Sequence, residues 1–159
     1  MSDTLDKIDR LLLCFVQENA NRTANQLSQK LAQHKERLGP AAARNRVDDL
    51  TNRGFIKATR AILDPDKIGL STMCFMLVKL GEKNGESETK FKDKAHGIRN
   101  VLEIHETTGQ YDYIIKAHVH AIKDALAISQ QLKPMVGSIE TLLVGDTYKN
   151  DTALPLDES

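Results

Sequence analysis

The stretch VLEIHETTGQYDYIIKAHVH, residues 101–120, decides the fold of the second half of the chain. Strand-forming residues run from Val101 to Thr107 and, in clear alternation, from Tyr111 to His120. The Gly109-Gln110 pair between them is typical of a tight turn, so we predict an antiparallel hairpin. Its second strand places two sets of residues on opposite faces, Tyr113, Ile115, Ala117 and Val119 against Ile114, Lys116, His118 and His120.

The segments on either side of this hairpin complete a βαββαβ pattern. In chain order, we expect a strand over Thr72–Leu80, a polar loop over Gly81–Glu86, a helix capped by Ser87 that ends near Gly97, the hairpin, a helix over Ile122–Lys133 and a last strand over Ile139–Tyr148. This order is that of a ferredoxin-like domain, in which two helices cover one face of an antiparallel sheet. The predicted fold class is therefore α+β.

The open face of the predicted sheet is too apolar for water. In the first strand, Phe75 and Leu77 alternate with Met76 and Val78, so both faces of the sheet carry large apolar side chains. Because helices cover only one face, another apolar surface must cover the second, and a second copy of the same sheet is the simplest candidate. We therefore predict a homodimer.

The sequence pattern of the first 60 residues predicts three short helices. The first is expected to be capped by Thr4, and the second is expected to open near Thr23. The third is expected to run from Pro40 to Arg53 and to end at Gly54, where the backbone needs a positive φ. Three short helices in this order, the last of them basic, favour a helix-turn-helix that binds double-stranded DNA.

The third helix carries the candidate DNA-contacting residues. One side of it is apolar, with Ala43, Val47 and Leu50, and the free side is rich in Asn and Arg. Asn can pair with adenine and Arg with guanine, while flanking Arg side chains reach phosphates. The candidates are Ala41, Arg44, Asn45, Arg46, Asn52 and Arg53. Because Asp48 and Asp49 on the same helix repel phosphates, a sensor or co-regulator without sequence-specific DNA binding stays open as an alternative.

Charge and composition agree with a division into two halves. The net charge is zero, but residues 1–60 carry eleven Lys and Arg against seven Asp and Glu, and residues 61–159 carry eleven against fifteen. A basic front half favours a polyanion as its partner. The chain has no apolar run near the ~20 residues of a membrane span and no signal-peptide layout, so we expect a cytoplasmic protein. Cys14 and Cys74 lie in apolar patterns and are expected as core residues.

A change of pattern marks the domain boundary. Phe55–Leu63 mixes β-branched and apolar residues and predicts a strand that leads out of the first domain, and Asp64-Pro65-Asp66 predicts a turn after it. We therefore divide the chain into a helix-turn-helix domain over 1–60, a ligand-sensing and oligomerisation domain over 61–149, and a flexible acidic tail over 150–159.

Four short motifs occur in order along the chain. They are Leu5-Asp-Lys-Ile-Asp-Arg, Arg53-Gly-Phe-Ile, Ala61-Ile-Leu-Asp-Pro-Asp-Lys-Ile-Gly and Thr108-Gly-Gln-Tyr-Asp-Tyr. Together they resemble the signatures of the Lrp/AsnC family, the leucine-responsive and asparagine-responsive regulators. The resemblance implies a winged-type helix-turn-helix, a linking strand and an ACT-like βαββαβ effector domain, which dimerises and often assembles further into octamers.

The resemblance also implies a small-molecule effector, in many members an amino acid, bound near the turn between the second and third strands at an interface between dimers. In this chain the turn comprises Thr108, Gly109, Gln110, Tyr111 and Asp112. Its chemistry suits that role, because Gly109 lets the backbone approach a ligand, N–H groups can hold a carboxylate, and Asp112 can accept from an ammonium. The alternative is an ordinary hairpin turn that an Asp caps.

The chain departs from the family between its second and third helices. Leu31 and Leu38 are separated by Ala-Gln-His-Lys-Glu-Arg, where the family has a tight turn, and Gly39 stands where a Ser cap is typical. We expect either a longer second helix or a looser turn. This departure bears on how the third helix docks in the groove.

The histidines suggest an enzyme as a further alternative. Siroheme decarboxylases are similar in architecture, and His118 and His120 lie on one strand face with His105 on the neighbouring strand. Two such imidazoles can ligate a metal, but no third ligand of Cys or carboxylate has suitable spacing. Because the sequence also lacks a nucleophile elbow, a phosphate loop and paired catalytic carboxylates, we predict no catalytic residues, no cofactor and no metal.

Overall fold

The computed structural model describes residues 4–81 and 84–156 and divides the chain into two compact units. The first unit comprises the residues up to Ala61 together with those from Lys149 onward, and the second comprises Ile62–Tyr148. Three helices form the first unit, namely α1 (Lys7–Glu18), α2 (Ala24–Gln33) and α3 (Pro40–Asn52). Fully buried leucines from all three helices make its core, among them Leu12, Leu27, Leu31 and Leu50.

The ends of these helices follow from their capping residues. The prediction that Thr4 caps α1 is wrong, because the Asp6 carboxylate accepts from the Asp9 N–H at 2.8 Å and the Asp9 carboxylate accepts from the Asp6 N–H at 3.3 Å. This reciprocal capping box satisfies two backbone donors at once. Thr23 caps α2 as predicted. Gly54 follows α3 with φ of 81°, which confirms the predicted end of the third helix.

The turn between α2 and α3 is looser than in a tight helix-turn-helix. It spans residues 34–39 and passes through Lys35, which has φ of 62° and is the one non-glycine residue with positive φ in the described parts of the chain. The Glu36 N–H donates to the Leu31 carbonyl at 3.0 Å, and Ser28 Oγ donates to the Leu38 carbonyl at 2.6 Å. Of the two expectations for this insertion, the looser turn is confirmed.

The second unit is the predicted βαββαβ domain. Its elements are β1 (Thr72–Lys79), α4 (Gly85–His96), β2 (Val101–Glu106), β3 (Tyr113–Val119), α5 (Ile122–Leu132) and β4 (Ser138–Leu143), with a short 3₁₀ turn over Lys133–Met135. The four strands form one sheet in the order β2-β3-β1-β4, and every neighbouring pair is antiparallel. The α+β class and the ferredoxin-like order are thus confirmed.

Strand alternation places the core of this unit on one face of the sheet. Tyr113, Ile115, Ala117 and Val119 are buried, as the hairpin pattern predicts, and Cys74, Met76 and Val78 are buried beside them on β1. They pack in one cluster with the inner sides of α4 and α5, which contribute Phe91, Ala95, Ala125, Ile128 and Leu132. The predicted inner face is therefore confirmed, and the other face is left without a layer from this chain's second unit.

Several predicted boundaries are wrong. In the described part of the chain, no strand forms over Phe55–Leu63, because none of the four strands pairs with it and Ile62 is 84% exposed. The last strand ends at Leu143, five residues before the predicted Tyr148. Helix α4 begins two residues before Ser87, since the side chain of Asn84 caps it by accepting from the Ser87 N–H at 2.8 Å. Of the predicted loop Gly81–Glu86, residues 82 and 83 lie outside the described residues.

Residues 150–156 contain no helix or strand. They nevertheless pack within the first unit, because Gln17 on α1 is hydrogen-bonded to Leu154, and Leu156 packs against the cluster of buried leucines. The flexibility expected for the whole of 150–159 stays a prediction. None of the helices in residues 4–81 and 84–156 combines the length and the apolar character that a membrane crossing needs.

Candidate DNA-reading helix and effector turn

Helix α3 presents the predicted DNA-contacting residues on its free side. Ala43, Val47 and Leu50 are buried, which fixes the opposite side outward. Five of the six candidates are exposed, namely Ala41, Arg44, Asn45, Asn52 and Arg53, and Arg46 is half-buried. A shallow cleft of about 420 Å³ brings Asn45, Arg46 and Arg53 together with three carboxylates, Asp6, Asp9 and Asp49. Ala41, Arg44 and Asn52 do not line this cleft.

Arg46 is held by helix α1. Its Nη1 donates to Asp9 Oδ1 at 2.8 Å and also to Asp6. Asp9 is the only buried charged side chain among the residues that the structure describes, so Arg46 supplies the charge that a buried carboxylate requires. Burial raises the pKa of Asp6, but the hydrogen bond from Arg46 and the Asp9 N–H outweigh it and lower that pKa overall. Sequence reasoning missed this pair, because its two residues lie 37 positions apart in the chain, on different helices.

Arg44 of α3 and its C-cap residue Arg53 are paired with the two acidic residues of the helix, Asp48 and Asp49. Arg44 Nε lies 3.1 Å from Asp48 Oδ1, and Arg53 Nη1 lies 3.1 Å from Asp49 Oδ2. Both are exposed pairs four residues apart on one helix, and such pairs are worth only a few tenths of a kcal/mol, roughly 0.3–0.5. DNA phosphates can therefore displace either carboxylate at small cost.

The turn between β2 and β3 exposes its backbone. Gly109 has φ of 114°, a conformation that side-chain-bearing residues rarely adopt. Two hydrogen bonds from Thr107 close the base of the turn. Its N–H donates to the Asp112 carbonyl at 2.8 Å, and its Oγ1 donates to the Tyr111 carbonyl at 2.8 Å. Within the described parts of the chain, the N–H groups of Thr108, Gly109 and Gln110 make no hydrogen bond, and all three residues are exposed.

Tyr111 and Asp112 tie this turn to the rest of the sheet. The Leu80 N–H donates to Asp112 Oδ2 at 2.8 Å, so this carboxylate already supports the end of β1. The Tyr111 hydroxyl donates to Glu140 Oε2 on β4 at 2.6 Å, and this bond to a carboxylate raises the pKa of Tyr111. Glu140 is a residue that sequence reasoning missed, because its neighbour in space is 29 residues away.

A second cleft lies between α4 and the edge of the sheet. It measures about 400 Å³ and is lined by Lys92, Asp93, His96, Ile104, Glu106 and Tyr113. The Tyr113 hydroxyl donates to Glu88, which also accepts from Lys92 at 2.6 Å. These bonds raise the pKa of Lys92 and lower that of Glu88, so both groups keep their charges near neutral pH.

The histidines have structural roles. His118 Nδ1 lies 3.1 Å from the Leu70 carbonyl and His120 Nδ1 lies 2.7 Å from the Gly69 carbonyl. Because a carbonyl only accepts, each Nδ1 donates, and the two rings hold the turn that leads into β1. His105 pairs with Glu103 at 3.0 Å. Across residues 4–81 and 84–156, no group of three or more His, Cys, Asp or Glu could hold a metal ion.

A helix-turn-helix unit followed by a βαββαβ unit defines a class of protein, the DNA-binding regulator with an attached ligand-binding domain. The Lrp/AsnC ligand binding domain matches residues 73–154, which is more than half of the chain. The chain belongs to the Lrp/AsnC family, as its four motifs predict.

Individual relatives agree with this assignment. The HTH-type transcriptional regulator Zrp of Zymomonas mobilis is 31% identical over 95% of this chain and 97% of its own length. The transcriptional regulator AzlB of Bacillus subtilis is 27% identical over 99% of both chains. A solved transcriptional regulator of Neisseria meningitidis, in complex with L-Met, is 26% identical, covers 97% of this chain and 98% of its own, and superposes with a TM-score of 0.87. The protein is thus a helix-turn-helix transcriptional regulator that carries a small-molecule-binding domain.

Proposed function

We propose that this regulator binds double-stranded DNA in the cytoplasm as a homodimer or a higher oligomer such as an octamer, and that an amino acid controls it from the turn at 108–112. The observation that carries the effector site is the set of three exposed N–H groups around Gly109. Successive N–H groups on such a turn bind an anion, and the α-carboxylate of an amino acid is one. The L-Met complex of the Neisseria relative supports the ligand class.

The ammonium of the amino acid needs a carboxylate within reach of the same turn. Asp112 is the predicted acceptor, and its Oδ2 is bonded to the Leu80 N–H. Glu140 adds a second carboxylate, held at the Tyr111 hydroxyl. The side chain of the amino acid then extends away from the turn, where a neighbouring dimer of the proposed oligomer supplies the remaining surface.

The open face of the sheet supports the proposed homodimer. Phe75, Leu77 and Ile114 lie on this face, opposite the buried core residues of β1 and β3, and Leu142 of β4 is paired with Phe75 in the sheet register. Leu142 is 42% exposed. A second copy of the sheet would remove this apolar area from water at about 25 cal/mol per Å². The DNA-reading candidates of two copies would then contact two half-sites.

The function is tested by a thermal-shift screen of the protein against the twenty amino acids, followed by DNA binding with and without each stabilising compound. A ligand of the folded state should raise Tm, by an amount that corresponds to about 2.7 kcal/mol when its concentration is 100 times Kd. Binding to a duplex from the protein's own promoter should weaken steeply as salt rises. The proposal fails if no amino acid raises Tm, or if no duplex binds at low salt.

Gly109→Ala is expected to abolish the effector response while the protein still binds DNA. At φ of 114° an alanine is strained, so the turn rearranges and the directions of its three N–H groups change. Stability should fall by roughly 1–2 kcal/mol, as for other strained backbone positions. Gly145→Ala is the matched control, since it adds the same methyl group at a glycine without a positive φ and with open space around it, and it should keep the Tm shift. An unchanged Tm shift in Gly109→Ala would place the ligand elsewhere.

A further inference from the structure

The surface of α1 around Gln17 binds a segment that follows the last strand. We call residues 149–156 the docking segment. Gln17 Nε2 donates to the Leu154 carbonyl at 3.1 Å, and the Leu154 N–H donates to Gln17 Oε1 at 2.7 Å. Leu156 packs against the buried leucines of the first unit. One side-chain amide thus satisfies both polar backbone groups of one residue, as a neighbouring β-strand would.

This contact binds the backbone of Leu154 and the side chain of Leu156. The side chain of Leu154 is 72% exposed and adds little to the binding. Leu156 is half-buried and supplies the apolar anchor. Two exposed hydrogen bonds and one partly buried leucine make a weak contact, so the docking segment can leave the surface and return.

The path of the chain gives this contact its significance. The chain leaves the first unit after Ala61 and returns to it at Lys149, so the docking segment connects β4 to α1. Helix α1 also holds the DNA-reading helix, through the pair of Asp9 with Arg46. Gln17 and Asp9 lie on the same helix, which transmits a displacement at one end to the other because it is a rigid element.

We propose that the docking segment is a releasable latch on the DNA-binding unit, with the Gln17 surface of α1 as its docking site and this chain's own Leu154–Leu156 as the occupant. In the docked state the contact adds to the core packing that holds α1, and α3 is positioned through Asp9 and Arg46. In the released state α1 loses this support, and DNA affinity falls.

The test is hydrogen exchange on the full chain, read at the Leu154 N–H and along α1. Gln17→Ala and Leu156→Ala should each accelerate exchange at Leu154 by about 5- to 30-fold and lower the affinity for a random-sequence duplex by a similar factor or less. The control is Gln33→Ala, which removes an exposed glutamine of α2 and should change neither quantity.

Exchange at Leu154 that is equally fast in the unchanged chain and in Gln17→Ala would overturn the latch. A second arm removes residues 150–159 and adds them back as a peptide. The peptide should slow exchange in α1 of the shortened chain, whereas no slowing overturns the docking site. Protection of the Leu154 N–H in the unchanged chain should not depend on protein concentration. Protection that is lost on dilution would contradict occupancy by the chain's own segment.

Discussion

Replacing Phe75 by Asp is expected to dissociate the proposed homodimer into monomers. Phe75 lies on the open face of the sheet, between Lys116 of β3 and Leu142 of β4, and it is not part of the buried core of its unit. A carboxylate at the centre of the proposed interface would be buried without a complete set of partners, which costs several kcal/mol. We therefore expect the dimer to dissociate about 100-fold more readily, or more.

Sedimentation velocity measures this result directly, and circular dichroism should show an unchanged fold because the core is untouched. The affinity for a duplex with two half-sites should fall by about 100-fold or more, since the avidity of two linked binding units is lost. Leu126→Asp is the matched control. Leu126 is 50% exposed on α5, away from the open face, and its replacement should leave the dimer intact. If Leu126→Asp dissociates the protein and Phe75→Asp does not, the helical side forms the interface.

Replacing Arg46 by Ala is expected to destabilise the first unit by about 1–3 kcal/mol, because it leaves the buried Asp9 without its cation. Arg46 itself is 38% exposed, which keeps the loss below that of a fully buried pair. Arg44→Ala provides the comparison. Its partner Asp48 is exposed, so stability should change by less than about 0.5 kcal/mol while a phosphate contact is lost.

The two variants should distinguish a residue that positions α3 from a residue that contacts DNA. In Arg44→Ala, the slope of log affinity against log salt should fall by about 0.9 at unchanged Tm. In Arg46→Ala, Tm should fall and the affinity loss should shrink when the protein is cooled well below its melting range. An Arg46→Ala protein with unchanged Tm and a normal denaturation curve would show that Arg46 acts on DNA alone.

The pair of Asp6 with Arg46 predicts how acid affects the stability of the first unit. Because the pKa of Asp6 is lowered from its ordinary 3.8 in the folded state, its contribution to stability is present above pH 3.8 and is lost as the pH falls through the folded pKa. Asp6→Asn removes this titrating carboxylate. In protein that keeps Arg46, the loss of stability as the pH falls should therefore be smaller. In the Arg46→Ala background, the same Asp6→Asn change should have a smaller effect.

The parts of this structure that depend on local sequence could be predicted. Alternation along β1 and β3 placed the core face correctly, and Gly54 marked the end of α3, because each rests on the conformational preference of a few adjacent residues. The capping residue of α1 was missed by two positions, since Thr4 and Asp6 both have oxygen acceptors and only the reciprocal bond to Asp9 distinguishes them.

Features that join distant residues could not be predicted. The pairs of Arg46 with Asp9 and of Tyr111 with Glu140 each need the tertiary fold before their partners meet. The strand expected over Phe55–Leu63 fails for a related reason, since its backbone needs a neighbouring strand that this single chain does not provide in its described residues. The proposed effector turn was located by the family resemblance, and its local pattern alone equally suits a hairpin.

Arg44 and Arg46 of α3 and the C-cap residue Arg53 are all paired with carboxylates, so DNA binding replaces existing ion pairs with new ones. A phosphate that approaches Arg44 or Arg53 replaces Asp48 or Asp49 as the anionic partner, so the protein gives up one ionic contact for each that it gains. Because each of these exposed pairs is worth only about 0.3–0.5 kcal/mol, the exchange lowers the electrostatic gain from random duplex only slightly. The proposed contacts of Asn45 and Asn52 with base edges displace no such pair, so we expect them to carry more of the discrimination between sequences. Asp48 and Asp49 are expected to act as weak internal competitors with DNA phosphates.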